Sequence, residues 1–453
     1  MNQVSMSETD RISSLPDHIC HQILQGLPVT EARMTTFLNR RWRFMFYSCP
    51  SYEFDDSEFD TASFIRFVND ILQFRQRYFS NLSIDSFRLC MNVTNEAIPH
   101  IDNWIKIVLQ KEVKNLDISL TYDDMYKLPE SVLTTASITE LKMVNCEINC
   151  NNASLPLIRK FVLERGHVAD KGFEKWITSC PLLEDLRIIA VQGLNKICIS
   201  SQKLKVFELL AFTSVDFSID APNLEYFTFS SDMEPRRIRI ATKKVRCLSL
   251  RLVHPLTDDL IQDIFANNPL IECVFLDCKN LRKMIISSQK LRYLEVKGCR
   301  KVVEVGIEAP SLQILKYNGD LVDLFGINCP LLMKASISLR NVSSFDAKWY
   351  CNLKRLCENL DHCPLLTLRT HMDKGLVIPM EMRESLLPRL YGPKQLKVHL
   401  CTTLTSPLEI EHGLNWIFSS LKTLCINLHE LEERYFYEYD GIERRVVTRS
   451  QLM

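Results

Sequence analysis

Side chains able to do chemistry are scattered along this chain rather than assembled. The densest group of metal-ligand types is Cys351, Cys357, His362 and Cys363, and Cys146 with Cys150 and Cys273 with Cys278 form looser pairs. No C-x-x-C occurs among the seventeen cysteines, so the paired spacing that closes a tetrahedral zinc site is missing. Asp55 with Asp56 and Asp258 with Asp259 could in principle share acid-base work, but both pairs sit in turn-like or helix-start contexts where capping explains a carboxylate. The twelve glycines form neither G-x-G-x-x-G nor G-x-x-x-x-G-K, so no backbone cradle for phosphate is signalled. Neither H-E-x-x-H nor a G-x-S-x-G elbow is present. The expectation is a chain without a metal, a cofactor or catalysis of its own.

Charge excludes further classes. Fifty-five basic and fifty-five acidic residues cancel, so no long-range field favours nucleic acid or an anionic membrane. The one basic stretch, Arg236, Arg237, Arg239, Lys243, Lys244 and Arg246, lacks interleaved aromatics and reads as a solvated edge. No run of eighteen apolar residues occurs, and the opening MNQVSMSETDR is polar, which predicts neither a membrane span nor a secretory signal. A cytoplasmic or nuclear protein with reduced thiols is expected.

The elements that must position any binding residue are repeats. VKNLDI, ITELKM, IRKFVL, LEDLRI, LKVFEL, LEYFTF, VRCLSL, IECVFL, LRYLEV, LQILKY and LMKASI start at 113, 138, 158, 183, 204, 224, 245, 271, 291, 312 and 332. Their first, fourth and sixth positions are apolar in every unit, which an overall apolar fraction of 46% would not supply by chance. A period of 20 to 26 residues fits leucine-rich repeats, each contributing one strand to a parallel sheet. Positions four and six then point inward, and three and five line the open, concave face. KGFEKWITSC and TDDLIQDIFANN predict helical returns, while the shorter units have room only for extended ones. Beyond 340 the pattern weakens: PKQLKVHL and SSLKTLCI predict two further strands, and the charged, aromatic tail from Glu430 is read as a terminal cap rather than a frayed end.

Position three reads Asn115, Glu140, Lys160, Asp185, Val206, Tyr226, Cys247, Cys273, Tyr293, Ile314 and Lys334, charged at its ends and apolar in the middle. Such a band on a concave face predicts a protein or ligand contact centred on Tyr226, Phe275 and Tyr293. The alternative is that a C-terminal segment covers it.

Ahead of the repeats, RISSLPDHICHQILQGLPVTEARMTTFLNRRWRFMF, residues 11–46, predicts three short helices. Pro16 suits a helix start and Gly26 a stop, with Leu15, Ile19, Ile23 and Leu27 giving one apolar face. Thr30 is expected to cap the second helix and Asn39 a third carrying Trp42 and Met45. About forty residues enclose too little core to cover their own apolar surface. Next, EFDDSEFD reads as an acidic turn, followed by a helix with Phe64, Phe67, Val68, Ile71 and Leu72 on one side, and NWIKIVLQKEVKNLDISL as a second helix and the first strand.

The N-terminal pattern resembles the F-box, residue by residue through Leu15, Pro16, Ile19, Ile23, Leu24, Leu27, Pro28, Phe37, Leu38, Arg41, Trp42 and Arg43. Asn39 and Arg40 replace a more usual serine-lysine pair, and Phe46 stands where Trp is common. With WI at 104–105 and the VKNLDI strand ten residues later, the chain resembles plant F-box/leucine-rich-repeat proteins over residues 10 to 340. The resemblance implies an α/β leucine-rich-repeat solenoid, parallel strands on a right-handed coil, preceded by a small three-helix module. It divides the chain into an F-box (8–55), a helical linker and cap (60–112), regular repeats (113–340) and an irregular C-terminal part (341–453). It also implies a substrate receptor: the F-box residues from Leu15 to Trp42 would bind a Skp-type adaptor, and through it a cullin, while the repeats hold a target protein. The competing expectation is a repeat scaffold with no ligase attached.

Overall fold

The computed structural model describes residue 12 and residues 15–448, apart from short segments at 122–123, 169, 195, 212–214, 232, 234–237, 253–257, 279–280, 300, 323, 341–344, 373–374, 387–389, 403–405, 429–432 and 441–442. Arg236 and Arg237 of the basic stretch therefore lie outside the described residues. The chain divides into two compact units, Met1–Leu210 and Ala211–Met453.

The first unit opens with helices α1 (Asp17–Gln25), α2 (Val29–Met34) and α3 (Arg40–Ser48). Pro16 leads into α1 from an extended conformation and Asp17 sits in the first turn, where a negative charge meets the positive end of the helix. Gly26 ends α1 in an ordinary right-handed conformation, its N–H bonded to Gln22 and Ile23 carbonyls. Thr30 is not a cap: α2 begins at Val29 directly after Pro28, whose φ of −51° already suits helix entry, so Thr30 falls inside the first turn. Asn39 does cap α3, Oδ1 accepting from the Trp42 N–H at 2.9 Å, an arrangement worth about 1 kcal/mol.

Strands β1 (Ser51–Asp55), β2 (Ser86–Asn92) and β3 (Asn115–Thr121) follow, separated by helices α4 (Thr61–Tyr78) and α5 (Ile98–Gln110). The sheet thus begins two strands earlier than the sequence reading places it. Glu53 and Asp55 belong to β1 rather than to an acidic turn. Asp55 instead accepts from the Ser57 N–H, Asp56 from the Asn92 N–H, and Asp60 caps α4. The predicted apolar side of α4 is buried as expected, with Arg75 alongside it. In this unit seven parallel strands pair among the described residues: β1, β2, β3, Glu140–Val144, Lys160–Glu164, Asp185–Ile189 and Val206–Ala211. In-register Tyr52, Phe87, Leu116, Leu141, Phe161, Leu186 and Phe207 run through their core side.

The second unit pairs nine parallel strands from Tyr226–Ser231 to Thr423–Leu428. Two antiparallel strands, Glu433–Asp440 and Glu443–Thr448, follow at its edge. The first, fourth and sixth positions of all eleven sequence repeats are buried. Five more units obey the same rule, with starts at Cys49, Ile84, Cys363, Pro393 and Leu421. Leu365–Met372 is a strand the sequence reading missed, whereas Gln395–Thr402 and Thr423–Leu428 match its two C-terminal expectations. Asp170–Thr178 and Asp258–Asn267 are the predicted helical returns. Short units return as strands, and Lys283–Ser287, Glu304–Glu308 and Leu324–Asn328 form a small parallel sheet of their own.

Arg75 joins the module to the sheet. Its guanidinium, 1% exposed, donates to the carbonyls of Tyr47 (2.6 Å), Cys49 (2.8 Å) and Ser83 (2.6 Å) and to the Tyr52 hydroxyl (3.3 Å). Tyr47 lies in the last turn of α3, where the helix dipole favours a cation. Arg75→Met should lower the stability of this unit by on the order of 3 kcal/mol, because several buried acceptors lose a charged donor, whereas Asn39→Ala should cost about 1 kcal/mol. Chemical denaturation followed by hydrogen exchange of residues 40–55 measures both, and equal midpoints for the two variants would show the arginine contacts to be energetically idle.

Candidate docking surfaces

Within the helical module, α1 presents two adjacent ridges. Cys20 and Leu24 pack inward, while Ile19 is half-buried and Ile23 exposed on the neighbouring ridge. Pro16 and Pro28 are exposed, and Leu15 and Leu27 half-buried. The 3-10 turn Thr35–Phe37 then carries Phe37 and Leu38 into solvent, 74% and 64% exposed. Trp42, one turn into α3, is only 3% exposed. Of the eleven F-box positions, Leu24 and Trp42 therefore face the module's own core, and the other nine retain solvent contact. The inward pair holds the shape on which the outward set is displayed.

Arg41 braces this face. It donates to the Leu15 carbonyl and pairs with Asp17 at 2.6 Å, a hydrogen bond that raises the arginine pKa. His21 Nε2 lies 3.1 Å from Ser48 Oγ, linking α1 to α3. Burial raises the Cys49 thiol and the Tyr52 phenol beneath the module, so both stay protonated at neutral pH. Met34 is also exposed, beside Phe37 and Leu38. The sequence reading missed it, although apolar residues at 34, 37 and 38 follow the i, i+3, i+4 spacing of one helical face.

The sheet of the second unit carries the other candidate surface. Tyr226, Cys247, Cys273, Tyr293, Ile314 and Lys334 are direct cross-strand neighbours, as are Thr228, Ser249, Phe275, Glu295, Lys316 and Ser336. Tyr226 and Phe275 are exposed and Tyr293 half-buried, so no described segment seals the band. Phe275 and Tyr293 meet with ring centroids 5.1 Å apart. Tyr226 stands three strands from Tyr293, about 14 Å at normal strand spacing, so the predicted trio divides into a pair and a separate ring. Burial would raise the Glu295 carboxyl, but hydrogen bonds from Lys297, Tyr293 and Lys316 outweigh it and hold the group at about 2. Lys316 also lies over the Tyr293 ring at 5.3 Å. Burial, and then the bond to Glu295, raise the Tyr293 phenol.

A family model described as FBD-associated F-box protein At5g56370, LRR repeats, matches residues 101–260. Three similar proteins come from Arabidopsis thaliana. F-box/LRR-repeat protein 13 is 27% identical over 353 residues, 72% of this chain and 76% of its own. F-box protein At3g59000 is 24% identical over 432 residues, 86% of each chain. Putative F-box protein At3g58860 is 29% identical over 242 residues, 49% of this chain, and the match spans about half the length of that relative. In sequence the chain is similar to plant F-box/leucine-rich-repeat proteins.

Burial gives Cys357 and Cys363 packing roles. Burial pushes Cys357 up to about 12 and raises Cys363, which disfavours the thiolate that metal binding or nucleophilic attack requires. His362 bonds instead with the Cys329 carbonyl at 2.6 Å. Lys244 reaches Asn223 and Arg246 reaches Glu272, so these two members of the basic stretch are engaged along the repeat edge. The two sets of F-box positions should separate by stability. Phe37→Ala and Leu38→Ala should each change unfolding free energy by less than about 0.5 kcal/mol, while Trp42→Ala should cost about 3 to 5 kcal/mol. Urea denaturation checks this, and a large loss at Phe37 would mean that its side chain is covered in solution.

Proposed function

We propose that this protein is a substrate receptor of a Skp-cullin-F-box ubiquitin ligase, holding the Skp-type adaptor with its N-terminal module and a target protein with the open face of its repeat sheet. The observation that carries the proposal is the exposure of Phe37 and Leu38 beside the half-open ridge of Leu15, Ile19 and Ile23. Apolar side chains displayed in this way, on a module braced from within by Trp42 and Arg75, suit a foreign subunit that removes them from water. The family's F-box names support the same reading.

In this role the receptor is not catalytic. Ubiquitin transfer belongs to the assembled ligase, and the receptor raises the effective concentration of the target near it. No cofactor is required, and neither nucleic acid nor a membrane is a partner. No described helix is long and apolar enough to cross a membrane. The cytoplasm and nucleus are the proposed locations.

Replacing Leu15 and Pro16 together by Ala should abolish a one-to-one complex with the adaptor in co-purification, as should Phe37→Asp with Leu38→Asp. Retention of the complex in both variants would leave a repeat scaffold without a ligase as the better account. Replacing Tyr226 and Tyr293 by Ala should reduce target capture with adaptor binding intact. Unchanged capture would remove the sheet face from the proposal.

A further inference from the structure

The two units treat the charges on their sheet faces differently. In the first, opposite charges meet across consecutive strands: Arg88 pairs with Glu53 and, at 3.5 Å, with Asp117, and Lys142 approaches Asp117 at 3.4 Å. Arg187 lies between Asp185 (2.9 Å) and Glu208 (3.7 Å). Apart from Glu140 and Lys160, most charged side chains of that face are paired among the described residues. In the second unit the pairing continues through Arg251 with Asp277, through Glu295 with Lys297 and Lys316, and, just past the strand ends, through Arg340 with Asp320 at 3.2 Å. Lys334, Arg369 and Lys397 project from three adjacent strands, and among the described residues no carboxylate lies within ion-pair reach of any of them. The strands Lys334–Leu339, Leu365–Met372 and Gln395–Thr402 contain no acidic residue.

Lys334 adjoins the apolar band directly, while Lys397 and Arg369 lie two and four positions further along their strands on the same face. Lys334 is the cross-strand neighbour of Ile314, which is the neighbour of Tyr293, and Tyr293 touches Phe275. We infer that the target segment recognised here is an acidic, extended stretch of protein with one large apolar side chain, which seats on Phe275, Tyr293 and Ile314 while its carboxylates reach Lys334, Arg369 and Lys397. The inference rests on the sheet face being the target-binding surface and adds the chemistry of what binds. Spacing follows from the geometry. The strand of Lys334 is two strand spacings from that of Tyr293 and the strand of Lys397 four, about 10 and 19 Å. At about 3.3 Å per residue, the acidic positions should fall roughly three to six residues from the apolar anchor.

The test uses the full chain with three fluorescein-labelled synthetic polypeptides, a glutamate-tyrosine copolymer, a lysine-tyrosine copolymer and polyglutamate, read by fluorescence anisotropy. The glutamate-tyrosine copolymer should bind about tenfold more tightly than either of the others and should weaken as salt is raised. Lys334→Glu with Arg369→Glu and Lys397→Glu should lose about tenfold, and Phe275→Ala with Tyr293→Ala a similar factor. The inference is overturned if the lysine-tyrosine copolymer binds equally well, if a labelled single-stranded oligonucleotide binds in preference, or if the charge-reversed chain keeps full affinity with an unchanged circular dichroism spectrum. Should that variant fail to fold, the salt dependence of the wild-type chain decides, and salt-independent binding counts against the inference. Adaptor capture measured on the same preparation separates the two readings. Its loss with charge-selective binding retained removes only the ligase role, whereas intact capture with charge-indifferent binding removes only the acidic target.

Discussion

A buried guanidinium decides how the N-terminal helical module relates to the first strands of its unit. Arg75 belongs to α4, yet its hydrogen bonds go to the end of α3, to β1 and to the turn before β2. Among the described residues it has no carboxylate partner, so its charge is balanced by carbonyl dipoles, including one at the negative end of α3. Such a charge can stay buried only while all of its acceptors keep their places. The module is therefore held at a defined orientation against the first strand of the sheet, instead of swinging on a linker. In the proposed receptor role that rigidity would help, since effective concentration depends on how closely the tether restricts the target.

The repeats supply the second constraint. Three inward positions per unit are buried along both sheets, and a side chain at position four on one strand packs against the same position on the next. The outer positions are free to vary because this core does not involve them. Charge pairing in the first unit and an aromatic-to-basic transition in the second are two uses of the same freedom. Both decorate one kind of backbone, and neither alters the buried ladder.

Much of the architecture was legible because apolar periodicity reports burial directly. Every repeat unit from Val113 to Ile337 followed its pattern, and the helical returns at Asp170–Thr178 and Asp258–Asn267 were legible in the same way. The strands at Ser51–Asp55, Ser86–Asn92 and Leu365–Met372 escaped notice although their units obey the same first, fourth and sixth rule. Their neighbouring starts are separated by longer helical returns, α4 with eighteen residues and Ala347–Asn359 with thirteen among them, so a search at a period of 20 to 26 residues passes over them. Thr30 misled for another reason: its side chain can cap, but the proline two residues earlier had already set the helix entry.

Residue types and spacing alone determined the fold class, the apolar character of the N-terminal helices, the lack of catalytic motifs and the list of outward positions, because each of these depends on order along the chain. Tertiary structure decided which apolar residues are spent inside. Leu24 and Trp42 share a motif with Phe37 and Leu38, yet the first two are buried and the others open, since only packing of α1 against α3 distinguishes the two sides of so small a module. The same holds on the sheet. Phe275 and Tyr293 are eighteen residues apart in sequence and adjacent in space, while Lys334, Arg369 and Lys397 come to share one face only when strand pairing brings their three strands side by side.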